Sequence, residues 1–137
     1  MNKNKKEKIT MKKALLILIA VIGFGLSANA QSTSGSCYIY NSLGQSIGQC
    51  SVRQNSDGSL LGSNTSNRDV IVNVEIYKYD CSRFNSIGSR TYTIRANSSN
   101  VRLDAFGSVR CEVVRNGVYS YEYYNFLLQL LNNAIYL

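Results

Sequence analysis

The chain has 137 residues, with fifteen Lys or Arg against eight Asp or Glu, four Cys, and no His, Trp or Pro. The absence of histidine excludes serine–histidine and cysteine–histidine catalysis and zinc–histidine sites. Six of the fifteen basic residues and one of the eight acidic residues lie in residues 1–30, which leaves nine basic and seven acidic residues, a net charge of +2, in the remainder. The basic excess belongs to the N-terminal segment, so no nucleic-acid partner is predicted.

The N-terminal segment has the three parts of a secretory signal peptide. Lys12 and Lys13 precede an apolar run over residues 14–26, and Ala28 and Ala30 have the A-x-A spacing that signal peptidase requires. The run is shorter than the roughly twenty apolar residues that span a bilayer, which argues against a retained anchor. We predict cleavage near Ala30 and a bacterial protein that is secreted or periplasmic, with no integral membrane span after cleavage.

Domain organisation follows from this cleavage. Residues 1–30 are interpreted as the signal peptide, with Met11 as an alternative start, and residues 31–137 as a single secreted β domain. From residue 31 on, 107 of the 137 residues remain. That length is typical of one domain that is large enough to bury a core and small enough to benefit from cross-links.

All four cysteines, Cys37, Cys50, Cys81 and Cys111, lie in the exported part. An even number of cysteines in an oxidising compartment predicts two disulfides, for which three pairings exist. We favour Cys37–Cys50 and Cys81–Cys111, whose closure would stabilise the fold by about 3 and about 3.7 kcal/mol in the chain-entropy model. No C-x-x-C spacing occurs, so neither a metal site nor a cofactor is predicted.

Short runs of β-forming residues alternate with Gly, Asn and Ser from Cys37 onward. The clearest strand is residues 70–79, where every second residue from Val70 to Ile76 is Val or Ile. Residues 62–69 and 82–88 are predicted loops. The other predicted strands are residues 37–40, 47–52, 90–95, 101–105, 109–115 and 118–124. About seven short strands favour an all-β fold, an antiparallel β-sandwich or open barrel.

Two turn signals set the expected pairing of these strands. Residues 43–44 connect two runs so that Cys37 lies near Cys50 across a hairpin. Asn116-Gly117 supplies the two positive-φ residues of a type I′ turn. We therefore expect residues 118–124 to pair with residues 109–115.

The C-terminal tail has a different pattern. Gln129, Asn132, Asn133 and Tyr136 fall at i, i+3, i+4 and i+7, which is one polar stripe of a helix, and Asn125 has the chemistry of an N-cap. The pattern predicts a short C-terminal helix packed against the sheet. Dimerisation or membrane contact through this helix is the alternative.

Carboxylates are the only catalytic candidates that remain. Glu122 is the most interesting one, because the Asn116-Gly117 register places it opposite Cys111, where a half-buried carboxyl could have a raised pKa. More often such a residue is paired with an arginine, for which Arg110 and Arg102 are available. No second carboxylate is fixed near it, so we predict no catalytic residue and no enzyme activity.

Tyrosine is the positive signal, with ten Tyr against four Phe. Tyr119, Tyr121 and Tyr123 have a period of two and so share one face of one strand. Such a face, if exposed, is a rigid amphipathic surface suited to a protein or glycan ligand. The alternative is that these rings pack under the tail helix or between sheets.

An Asn-rich loop, the long strand 70–79, a strand that ends in Tyr92-Thr93-Ile94 and a late segment over residues 109–113 follow one another in residues 66–114. This order resembles the immunoglobulin-like and fibronectin type III-like sandwiches of bacterial proteins. The resemblance implies an antiparallel β-sandwich and carries over no functional residue.

These observations predict a non-enzymatic binding or recognition module of the bacterial cell envelope or exterior. Its ligand would be an unidentified protein or glycan at the cell surface, bound through Tyr119, Tyr121 and Tyr123. One alternative is an inhibitor or immunity-type protein of a secreted enzyme, with residues 82–88 as a protruding loop. Another is a structural envelope or pilus-like subunit that associates with itself through a strand edge or the tail.

Overall fold

The computed structural model describes residues 34–137, so the predicted signal peptide lies outside the described residues. The described part is all-β and contains no helix. It follows that no helix within it could cross a membrane. The ten strands are β1 (Ser34–Tyr40), β2 (Ser46–Gln54), β3 (Ser59–Asn64), β4 (Val70–Tyr79), β5 (Phe84–Ile94), β6 (Ser98–Ala105), β7 (Ser108–Arg115), β8 (Val118–Asn125), β9 (Leu127–Leu130) and β10 (Ala134–Tyr136).

The described chain divides into two compact units. The larger unit consists of residues 34–78, 86–107 and 126–137. The hairpin unit consists of residues 79–85, which are the turn between β4 and β5 with the strand residues that flank it, and residues 108–125, which contain the β7–β8 pair. The prediction of a single domain over residues 31–137 stays a prediction.

Two sheets build the larger unit. One has the strand order β10-β1-β2-β3-β6, and the other has the order β5-β4-β9. Neighbouring strands with a defined register are antiparallel, except that β10 runs parallel to β1. The predicted pairing of residues 90–95 with residues 70–79 is confirmed by the adjacency of β5 and β4.

Alternating apolar residues from both sheets form one core. On β4 the predicted alternation is confirmed, because Val70, Val72, Val74 and Ile76 are buried. The other members come from several strands: Cys37, Ile39, Cys50, Val52, Leu60, Ile94, Phe106 and Leu128. Each large aliphatic side chain buried in this way contributes about 1.5–3 kcal/mol.

The Cys37–Cys50 disulfide is confirmed and lies inside this core. Cys37 and Cys50 are directly opposite each other on β1 and β2, with their Cα atoms 5.2 Å apart. Both residues are almost fully buried, at 1% and 0% exposure. The cross-link therefore constrains the unfolded chain and also fills core volume.

The predicted C-terminal helix is wrong. Asn125 is the last residue of β8, and the tail after it forms β9 and β10. β9 pairs with β4 and buries Leu128, whereas β10 pairs with β1. A helix of about thirteen residues is marginal by itself, and the tail instead gives an additional neighbour to one strand of each sheet. The helical spacing of the four polar residues in the tail is a coincidence. Two short strands that contain few polar residues can show the same spacing.

Two loop predictions also need correction. The segment 82–88 is mostly strand, because β5 begins at Phe84. The segment 62–69 becomes loop only after Asn64, where β3 ends. In both segments Gly, Ser and Asn are typical loop residues, yet pairing with a neighbouring strand keeps their backbones extended.

Asn64 forms a buried polar corner between β3 and β5. Its Nδ2 donates to the carbonyl oxygens of Arg68 (2.7 Å) and Ile94 (3.0 Å), and its Oδ1 accepts from the backbone N and the Oγ of Ser66 (2.9 and 2.8 Å). Asn64 is 0% exposed. The side chain thus ties the end of β3 to the loop after it and to the end of β5.

Asn64→Ala should destabilise the protein by roughly 2–4 kcal/mol, because it removes four hydrogen bonds at a buried site. Urea denaturation measures this change in the free energy of unfolding. Asn67→Ala is the matched control: Asn67 is exposed in the loop that follows Asn64, so its effect should stay within about 0.5 kcal/mol. Equal effects of the two substitutions would contradict the role given to Asn64.

Candidate functional site

The β7–β8 pair is the hairpin that the Asn116-Gly117 signal predicts, and the structure confirms it. The two turn residues have positive φ values of 52° and 75°. The register runs without interruption from Arg115 opposite Val118 to Ser108 opposite Asn125. The alternation of side chains along both strands therefore gives the hairpin two distinct faces.

One face of the hairpin packs within the hairpin unit. Cys111 on this face is 3% exposed, and its neighbours Val109, Val113 and Tyr124 are half-buried. The Tyr124 ring stacks on Tyr79 with the ring centroids 4.1 Å apart. Aromatic pairs of this kind contribute about 0.5–1.5 kcal/mol beyond the area that they bury.

The Cys81–Cys111 disulfide is also confirmed, and it joins β7 to the turn between β4 and β5. The Cα atoms of the two cysteines are 5.5 Å apart. Asp80 holds that turn, because its Oδ1 accepts from the backbone N of Ser82 (2.9 Å) and of Arg83 (2.8 Å). These hydrogen bonds lower the pKa of the Asp80 carboxyl. The cross-link thus ends on a turn that is itself ordered.

The opposite face of the hairpin is exposed. Tyr119, Tyr121 and Tyr123 are 71%, 53% and 57% exposed. Their cross-strand neighbours are also exposed, and we call the whole set the tyrosine face: Tyr119, Tyr121, Tyr123, Arg110, Glu112 and Val114. The alternative, that the three rings pack under a tail helix or between sheets, is wrong, because all three rings are exposed and the tail contains no helix.

An arginine orders the centre of the tyrosine face. The guanidinium carbon of Arg110 lies 4.5 Å from the centroid of the Tyr121 ring, a cation–π contact. Arg110 is directly opposite Tyr123, and Glu112 is opposite Tyr121. Positive charge, negative charge and aromatic rings therefore share one small surface.

Glu122 lies opposite Cys111, as the register predicts, but the hypothesis of a raised pKa is wrong. Its Oε2 accepts a hydrogen bond from Arg115 at 2.5 Å, and its Oε1 accepts one from the Tyr124 hydroxyl at 2.8 Å. The Arg115 guanidinium lowers the pKa of the carboxyl, against a smaller opposing effect of burial. The partner is Arg115 rather than the Arg110 or Arg102 that the sequence suggested, because Arg115 is on the same face of the hairpin.

Most other carboxylates of the described chain have structural partners. Asp57 accepts from Ser59, Asp69 from the backbone N of Ala96, and Glu75 from Ser86. Within residues 34–137, no three His, Cys, Asp or Glu side chains lie close enough together to hold a metal ion.

Sequence reasoning missed one polar cluster in the larger unit. Asp104 on β6 accepts from Arg90 (3.1 Å) and from the Tyr92 hydroxyl (2.6 Å) on β5. Burial is the largest cause, and the hydrogen bond to Asp104 the second, of the rise in the pKa of Tyr92 to about 12. Arg90 and Tyr92 are two residues apart on β5, whereas Asp104 lies 12 residues beyond Tyr92 on β6. The three residues form no known motif, so the sequence carries no signal that joins them. The cluster links β5 to β6.

No protein-family model, curated protein sequence or solved structure matches this chain. The resemblance to immunoglobulin-like and fibronectin type III-like sandwiches therefore stays a prediction. The function has to be inferred from the chemistry of the chain's own residues.

The Glu122 carboxyl should titrate below the ordinary glutamate pKa of about 4.3. Arg115→Gln should raise this pKa, because it removes the hydrogen bond that lowers the pKa most and the positive charge that also lowers it. A pKa that is lowered in the folded state adds stability above its unfolded value, and this stability is lost as the pH falls through the folded value. Carbon-detected NMR of the side-chain carboxyls measures both titrations.

Arg102→Gln is the control for this titration, since Arg102 lies outside the hairpin unit. It should leave the pKa of Glu122 unchanged. A Glu122 pKa above the ordinary value in the unsubstituted protein would contradict the assigned ion pair.

Proposed function

We propose that this chain is a non-enzymatic recognition module that binds a protein partner through the tyrosine face. The observation that carries the proposal is the exposure of Tyr119, Tyr121 and Tyr123 together on one face of β8, at 71%, 53% and 57%. Tyrosine and arginine are enriched among the residues that dominate binding energy at protein interfaces. The tyrosine face combines both residue types.

The tyrosine side chains offer a large contact area at a small cost in conformational entropy. A tyrosine ring buries a large area on binding while it immobilises only two side-chain torsions. On a strand, the three rings follow one another at about 7 Å, so their backbone already sets their spacing. The face is therefore ordered before a partner binds, which lowers the cost of association.

A protein partner fits this face better than a glycan does. Sugar rings bind aromatic side chains by stacking on the ring face, yet Arg110 already covers one face of the central Tyr121 ring. Arg110 and Glu112 instead offer a positive and a negative group beside the rings, which favours a polar peptide surface. The described residues also leave most carboxylates in structural roles, which supports a binding function over catalysis.

The setting of this function is outside the cytoplasm. Two disulfides in a small β-rich chain are typical of proteins from oxidising compartments. The core shared by the two sheets of the larger unit supports an antiparallel β-sandwich there. The inhibitor hypothesis loses its specific support, because residues 82–88 are mostly strand rather than a protruding loop.

The test compares capture of partners by the unsubstituted protein and by a Tyr119→Ser/Tyr121→Ser/Tyr123→Ser variant. Quantitative pull-down from the producer's envelope and surroundings, read by mass spectrometry, identifies the partner, and a binding titration then gives the affinities. The triple variant should lose at least about tenfold in affinity, since hot-spot truncations cost 2 kcal/mol or more at many interfaces.

The matched control is Tyr38→Ser/Tyr136→Ser, because Tyr38 and Tyr136 are 51% and 74% exposed in the larger unit. This control should bind as the unsubstituted protein does. Full binding by the triple variant, or an equal loss in the control, would contradict the proposal.

A further inference from the structure

Strand β8 has an unpaired edge. Among residues 34–137, β7 and β8 form a two-stranded sheet, so each has one hydrogen-bonded neighbour. The edge of a strand presents backbone donors and acceptors to which another strand can add, and residues 118–124 of β8 lie on such an edge. Side chains on both faces of β8 are exposed, among them Tyr119, Ser120 and Tyr121.

The turn decides which residues of β8 have their backbone groups on this free edge. In a two-residue hairpin the residues that flank the turn, here Arg115 and Val118, form a hydrogen-bonded pair. Hydrogen-bonded and non-hydrogen-bonded pairs then alternate along the strands. The backbone N–H and C=O of Tyr119, Tyr121 and Tyr123 therefore point away from β7.

We propose that β8 pairs with β8 of a second copy of this chain, antiparallel and about a two-fold axis at Tyr121. Tyr121 then exchanges two backbone hydrogen bonds with Tyr121 of the second copy. Tyr119 does the same with Tyr123 of the second copy, and Tyr123 with its Tyr119. The three outward-facing residues are thus all satisfied in one register.

The single charge of β8 distinguishes this register of a second copy from its neighbours. Glu122 is the only charged residue of β8. With the axis at Tyr121, each Glu122 lies opposite Ser120 of the other copy, so no like charges meet. Moving the axis to Glu122 would place the two Glu122 carboxylates directly opposite each other, which is destabilising. An axis nearer the turn would shorten the overlap and leave Tyr123 unpaired.

This pairing would join two hairpins into one four-stranded sheet with both copies' tyrosine faces on the same side. It concerns the backbone edge of β8, whereas the proposed function concerns the side chains of the tyrosine face. The two proposals therefore stand or fall separately, because self-association is measured without any partner.

Two variants that place opposite charges at position 120 test this pairing. Ser120 is exposed and lies opposite Glu122 of the second copy. Sedimentation equilibrium on the oxidised protein should give an average mass that rises from one toward two single-chain masses as the concentration is raised to about 1 mM. Ser120→Glu creates two like-charged cross-strand pairs and should raise the dimer dissociation constant about tenfold. Ser120→Lys creates two opposite-charged pairs and should lower it.

Tyr121→Pro provides the second measurement. It removes an outward-facing N–H that the β7–β8 ladder does not use, and an edge position tolerates proline. This variant should be monomeric while the Cys81–Cys111 disulfide still forms. A monomeric unsubstituted protein over the whole concentration range would overturn the proposal, as would equal dimerisation of Ser120→Glu and Ser120→Lys.

Discussion

The Cys81–Cys111 disulfide is the constraint on which the candidate site depends. A hairpin of two strands is marginally stable in water at best, because it has too little apolar surface to bury. The hairpin unit has one nearly fully buried apolar residue, Cys111, whereas the larger unit buries a dozen. The cross-link and the Tyr79–Tyr124 stack therefore compensate for a missing core. With one face held in this way, the opposite face is free to present Tyr119, Tyr121 and Tyr123.

Features that depend on neighbouring residues could be predicted from the sequence. Asn116-Gly117 determined a turn type, the turn type determined the register, and the register placed Glu122 opposite Cys111 and three tyrosines on one face. The alternation in residues 70–79 likewise predicted which side of β4 is buried. The two disulfides follow the same logic, because hairpin geometry brings Cys37 to Cys50 and leaves the other two cysteines for each other.

Features that depend on distant partners could not be predicted. The polar residues of the tail have a helical spacing, but the tail is extended because it pairs with the edges of β1 and β4. The periodicity of the sequence does not show that these edges are available. Asn64 looked like a loop residue, and only the positions of the Ser66, Arg68 and Ile94 backbones make it a buried corner. The spacing of the tyrosines predicts that they share one face of a strand, but it does not predict whether that face is exposed. The local sequence pattern therefore predicts where the candidate site lies, whereas the exposure of its side chains depends on the tertiary structure.

The Cys81–Cys111 cross-link orders the hairpin that carries the tyrosine face. Amide hydrogen exchange on a Cys81→Ser/Cys111→Ser variant measures this dependence, with the buried strand β4 as an internal reference. The amides of Ser120 and Glu122, which bond to β7, should lose most of their protection, whereas those of Val72 and Val74 should keep theirs. Unchanged protection of the β8 amides would contradict the claim, because the hairpin would then be ordered without its cross-link.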